Sequence, residues 1–169
     1  FYGLEQDRAD KKRYPAVNPI DSYSKYLEYP AFAEYISKKI NDKWIPKVLA
    51  LKTRMQRGKE MAEQINILGD DGVPVDYHVV FWKSEIIDFV ILQQDAFDEV
   101  DAVTSLERQE SILNLVTEIC EKEFKFDTFL DCVDYFRKLI NLCKQMNYSQ
   151  YKSEQYNDFV SQIKAMLAA

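Results

Sequence analysis

The stretch from Met61 to Phe97, MAEQINILGDDGVPVDYHVVFWKSEIIDFVILQQDAF, decides the fold. Apolar residues recur at helical spacing on both sides of Gly69-Asp70-Asp71-Gly72-Val73-Pro74. Two glycines and a proline so close together cannot continue a helix. The stretch therefore predicts two helices joined by a short acidic turn. Asp76 is expected to cap the second arm. Its stripe is Val80, Phe81, Ser84, Ile87, Ile91 and Gln94. From Asp76 to Gln94 such a rod is ~27 Å long. It would hold the acidic tip at one end and the polar-aromatic patch Leu92 to Phe97 at the other.

The first arm extends upstream to Trp44. Trp44, Val48, Leu51, Met55, Gly58, Ala62 and Ile65 repeat by steps of four and three, which is one seam on a long helix. Small Gly58 and Ala62 would let a neighbouring helix come close. Before this arm, Pro30 suits the first turn of a shorter helix carrying Phe32, Tyr35, Ile36 and Ile40. Asn41-Asp42-Lys43 is expected to bend the chain. Pro15 and Pro19 restrict their predecessors to extended backbone, so Tyr14 to Tyr26 reads as a stiff loop. Residues 1 to 13 read as a short polar helix or loop.

Three further helices follow. Thr104-Ser105-Leu106-Glu107 has the capping-box form, ahead of Leu106, Ile112, Leu113, Val116 and Ile119. Asp127 is expected to cap the next, whose inward face is Leu130, Val133, Phe136, Ile140 and Cys143. The last spans Tyr148 to Leu167, with Tyr156, Phe159, Val160, Ile163 and Leu167 inward. The expected fold is an all-α helical bundle preceded by an extended N-terminal loop segment.

Composition supports this class. The 169 residues include only four glycines and five prolines, too few for a fold built on tight β turns. The net charge of −6 disfavours binding to a nucleic-acid backbone. The short basic runs Lys11-Lys12-Arg13 and Lys38-Lys39 read as solvated surface. No run reaches the ~20 apolar residues of a membrane span, so direct membrane insertion is not expected. Cys120, Cys132 and Cys143 lack metal-ligand spacing and read as reduced core residues of a cytoplasmic protein. The chain opens on Phe1-Tyr2-Gly3 without an initiator Met and is expected to be part of something longer.

Catalytic chemistry finds little support in the residues alone. The sole histidine, His78, has no nucleophile with an activating turn and reads as an exposed surface residue. Asp95, Asp98, Glu99 and Asp101 lack the glycine and spacing of a calcium loop and read as a solvated connector, so no metal site is expected. No Gly-rich phosphate loop occurs among these residues.

Three motifs, standing in order, carry a resemblance. KKRYPAVNPIDSYSKY (Lys11 to Tyr26), INILGDDGVPVDYHVVF (Ile65 to Phe81) and DFVILQQDAFDEVD (Asp88 to Asp101) resemble segments in the C-terminal part of the catalytic A subunit of V/A-type rotary ATPases. The YPAV pattern is also similar to the F-type catalytic subunit, and Pro19-Ile20-Asp21 looks more like that version. Leu92 to Phe97 favours the V/A type.

The resemblance implies that residues 1–26 end the nucleotide-binding domain and its connecting loop, and that 27–169 form the C-terminal helical domain. It implies an adenine pocket with Tyr14 and Pro15 on one side and Gln94, Ala96 and Phe97 on the other. It implies contact between the turn Asp70, Asp71, Gly72, Val73 and Pro74 and a central rotor shaft. The implied parent binds ATP or ADP with magnesium, alternates with B subunits in a hexameric head and couples to proton or sodium transport. It is peripheral to the membrane on the cytoplasmic side. The phosphate loop, catalytic glutamate and magnesium site are expected upstream, so these 169 residues alone are expected to be inactive. An F-type fragment and a stand-alone helical module docking a partner helix along the Trp44–Ile65 seam are the alternatives.

Overall fold

The computed structural model describes residues 1–169. Seven α-helices follow in order: α1 (Gln6–Asp10), α2 (Pro30–Lys39), α3 (Trp44–Leu68), α4 (Val75–Ile87), α5 (Leu106–Glu121), α6 (Phe129–Tyr148) and α7 (Glu154–Ala168). Helix accounts for 69% of the chain and there are no strands, which settles the class as all-α. Between α1 and α2 lies the predicted loop, with one 3-10 turn at Lys25–Glu28 and one isolated antiparallel bridge from Leu4 to Val17.

The hairpin forms where its punctuation demands. α3 ends at Gly69, whose φ of 81° lies in the left-handed region that glycine tolerates best. A 3-10 turn, Asp70–Gly72, reverses the chain, and Pro74 sits immediately before α4. α3 and α4 pack along each other, and α4 also packs on α5 and α6, while α7 packs on α6. α4 is therefore the centre of the bundle. His78, Val79, Ser84, Ile86 and Ile87 are all buried, more sides than a single stripe provides. Behind it the core is filled by Val116, Ile119, Phe136, Leu139, Met146 and Ile163.

The seam on α3 is covered by this chain's own α4. Leu51, Met55 and Gly58 are buried there, so the surface a partner helix would need in the stand-alone module is already occupied. Gly58 allows the closest approach: a Cβ added to it would lie 2.1 Å from the Ser84 Cβ.

Several local expectations need correction. Asp76 lies inside the first turn of α4 and makes no cap; Pro74 occupies that position. The α-helix stops at Ile87 and continues as a π-helical turn, Asp88–Leu92, so Gln94 is outside the rod. Ser105, not Thr104, caps α5 by accepting from the Arg108 N–H. Thr128, not Asp127, caps α6 by accepting from the Asp131 N–H. Residue 148 ends α6 instead of starting α7, whose cap is Ser153. Leu130 points outward, and Cys132, Leu139 and Met146 take the inward face with Phe136 and Cys143. The three cysteines are free and buried; burial pushes the Cys120 thiol up to about 11 and Cys132 and Cys143 up to about 12. Such thiols stay neutral and poorly nucleophilic.

Gly58→Ala tests the close approach. Alanine is favoured over glycine in a helix by about 1 kcal/mol, but overpacking against Ser84 costs typically 1–3 kcal/mol. Urea unfolding is expected to show a net loss of stability, with part of it recovered when Ser84→Gly is added.

Candidate functional site

The site is built where the N-terminal loop meets the end of α4. Arg8, just ahead of the first basic run, and Arg13, its last residue, reach Asp88 and Glu85. Arg8 Nη2 donates to Asp88 Oδ1 at 2.8 Å, and Arg13 Nη1 donates to Asp88 Oδ2 at 2.6 Å. Arg13 also forks onto Glu85, at 2.9 Å to Oε1 and 2.5 Å to Oε2. Arg8 and Asp88 are buried. Burial works against the Arg13 charge, but hydrogen bonds and opposite charge from Glu85 and Asp88 outweigh it and raise its pKa above the ordinary value. The guanidinium also lies 4.8 Å from the Phe89 ring centroid. Arg13 is thus an anchor, which corrects its reading as solvated surface.

The anchor lies at the π turn. There the Gln93 N–H donates to the Asp88 carbonyl at 2.8 Å, the five-residue step of a π turn. The next residue completes a junction between two distant motifs: the Gln94 N–H donates to the Tyr14 carbonyl at 3.1 Å. The Tyr14–Pro15 peptide is cis.

A cleft of about 480 Å³ opens at this junction. Tyr14, Gln94, Ala96 and Phe97 line it together, while Pro15 lies beside it without lining it. Tyr14 is 55% exposed and Phe97 is 99% exposed, so both rings are available to a ligand. Lys11, Lys12, Phe89, Asn147, Tyr148 and Lys144 also line the cleft. The lysines beside Tyr14 could have been read from adjacency to its motif. The α6 residues had no signal, being some fifty positions downstream of Phe97.

The acidic residues after Gln94 form an ordered turn, not a loose connector. Asp98 Oδ1 accepts from the Val100 and Asp101 N–H groups at 2.9 and 2.8 Å. Asp101 is buried and its Oδ2 accepts from the Asp95 N–H at 2.6 Å. Burial pushes the Asp101 carboxyl above its ordinary range, against the pull of that hydrogen bond and of Arg108. No group of three or more His, Cys, Asp or Glu side chains converges in this turn.

At the other end of α4, Asp70, Asp71, Gly72 and Pro74 are exposed, whereas Val73 is buried and holds the tip down. His78 is 2% exposed, which corrects its reading as a surface residue. Its Nε2–H donates to the Asp70 carbonyl at 3.0 Å, and its ring stacks on Phe129 at 5.3 Å. It braces the turn from beneath.

A helical bundle with an acidic hairpin tip, and an aromatic cleft beside an anchored N-terminal loop, fits the C-terminal region of a rotary-ATPase catalytic subunit. Comparison with known proteins bears this out. The chain is 34% identical over 170 residues to the V-type ATP synthase alpha chain of Borrelia duttonii, across 99% of this chain and 27% of the relative. Those of Protochlamydia amoebophila and Treponema denticola are each 32% identical, again over 99% of this chain. No protein-family profile matches the chain. The chain is homologous to the C-terminal part of V-type ATP synthase alpha chains and spans about a quarter of their length.

Asp88→Ala tests the anchor. Removing one partner of a buried ion pair costs about 3–5 kcal/mol, whereas an exposed helical pair such as Glu34–Lys38, with both side chains about two-thirds exposed, is worth at most about 1 kcal/mol. Urea unfolding is expected to place Asp88→Ala far below Glu34→Ala in stability.

Proposed function

We propose that this chain supplies the adenine-side pocket and the rotor-contacting hairpin of a V/A-type rotary ATPase catalytic subunit. The parent couples ATP hydrolysis or synthesis to proton or sodium transport. The observation that carries the reading is the bond from the Gln94 N–H to the Tyr14 carbonyl. It brings together, at one cleft, two segments eighty residues apart, each expected to face adenine.

The residues fit a purine base. Tyr14 and Phe97 offer flat, exposed aromatic faces from separate segments, and stacking one base is worth about 1–3 kcal/mol in all. Millimolar affinity requires about 4 kcal/mol. The cleft alone therefore orients the base without holding the nucleotide, and the 169-residue chain neither hydrolyses ATP nor binds it measurably. Phosphates and magnesium would be held by parts of the parent outside these residues.

The other end of α4 addresses the rotor. Asp70 and Asp71 project from a braced turn, and an acidic rigid tip complements a basic shaft helix. α4, Val75 to Ile87, makes a rod ~20 Å long at 1.5 Å per residue, and the π turn Asp88–Leu92 carries the chain on to the cleft. Movement at the cleft is thereby transmitted to the tip, a hinge-type displacement. B subunits alternate with the parent in a hexameric head. No helix of this chain is long and apolar enough to cross a membrane, which suits a cytoplasmic part peripheral to it.

Two variants of the full-length subunit in its assembled complex test the two ends. Tyr14→Ala is expected to raise KM for ATP about tenfold, the lower part of one stacking contribution; an unchanged KM removes Tyr14 from the pocket. Replacing Asp70 and Asp71 by Ala is expected to spare nucleotide binding and impair ion pumping. Intact pumping would show that the charged tip is dispensable.

A further inference from the structure

We infer that Arg108 is a positioning residue for the nucleotide-facing segment Gln94–Phe97, acting through the turn that follows it. The inference rests on the adenine reading of the cleft.

The segment has no helix of its own to hold it. Two of its local ties run to Asp101: Gln94 Nε2 donates to the Asp101 carbonyl at 2.7 Å, and the Asp95 N–H donates to Asp101 Oδ2 at 2.6 Å. The Asp98–Asp101 turn must in turn be fixed to the bundle. Arg108 does this. Its Nη1 donates to the Val100 carbonyl at 3.2 Å, and its Nη2 donates to the Asn147 carbonyl at the end of α6. Asn147 Nδ2 closes the circuit by donating to the Val90 carbonyl at 2.9 Å, inside the π turn. One guanidinium thus joins the cleft segment, α5 and α6 around the π turn.

The placement of this cation has a cost. Arg108 is 3% exposed and forms no salt bridge; it is spent on backbone carbonyls, and its Nε has no partner. It also lies in the first turn of α5, where the helix dipole disfavours positive charge. Burying this cation carries a desolvation cost, offset here by its two hydrogen bonds to carbonyls and by attraction to the nearby Asp101 carboxylate. The planar fork aims fixed donors at two carbonyls from separate elements, whereas a compact lysine ammonium cannot keep both contacts in the same geometry.

Amide hydrogen exchange on the 169-residue chain provides the first arm of the test. In Arg108→Lys, the Asp95, Val100 and Asp101 amides are expected to lose protection while amides in the middle of α4 and α6 keep theirs. Unchanged protection at the three amides, or a uniform loss through the core, would overturn the inference. Should the lysine chain not fold, Arg108→Gln, which removes the buried charge and keeps a donor head, must show the same local pattern. The second arm uses the full-length subunit in its complex. Arg108→Lys is expected to raise KM for ATP about tenfold with kcat within about twofold, the loss of one charge-assisted hydrogen bond. If Tyr14→Ala raises KM and Arg108→Lys does not, the positioning role fails and the adenine reading stands. If neither raises KM, the adenine reading fails and the positioning role falls with it.

Discussion

The structure depends on one buried cluster of charge. Arg8 and Arg13 come from the N-terminal segment; Glu85 comes from the last turn of α4 and Asp88 opens the π turn. Buried charges are tolerable when paired with good geometry and costly when a partner is lost. The cluster therefore fixes where the N-terminal loop can lie. It places Tyr14 one residue beyond an anchored arginine, within reach of the Gln94 N–H. Without the anchor, Tyr14 and Phe97 would belong to two unrelated surfaces.

The same cluster sits at the point where α4 changes its winding. The α-helical part carries the packing against α3, with Gly58 and Ser84 in contact. The π turn then redirects the chain toward the cleft, and Asp88, its first residue, is held by both arginines. At the opposite end, His78 holds the tip by its carbonyl. A rod braced at both ends transmits displacement instead of absorbing it. That mechanical property, more than any single side chain, is what would link the proposed nucleotide cleft to the proposed shaft contact.

The elements legible in the sequence were those governed by local rules. α3 runs from Trp44 to Leu68 as its seam predicts, and the turn breaks at Gly69 because its backbone requires φ above zero. Pro30 starts α2 because proline suits the first helical turn. The failures came from partners distant in the chain. His78 was read as exposed because nothing near it announces Phe129 across the bundle. Arg13 looked like solvated surface because its partners lie more than seventy residues away. The π turn leaves no periodic signature. Among the cleft residues, the two motifs were readable and their meeting was not; Lys144, Asn147 and Tyr148 enter only through the packing of α6 on the π turn.

The central claim is that Tyr14 and the Gln94–Phe97 segment face one bound adenine from two sides. Photolabelling of the full-length subunit in its complex with an ATP analogue carrying an azide on the adenine ring tests it most directly. The predicted result is label on peptides containing Tyr14 and Gln94–Phe97, suppressed by excess ATP. Competable label confined to peptides that include neither segment would contradict it.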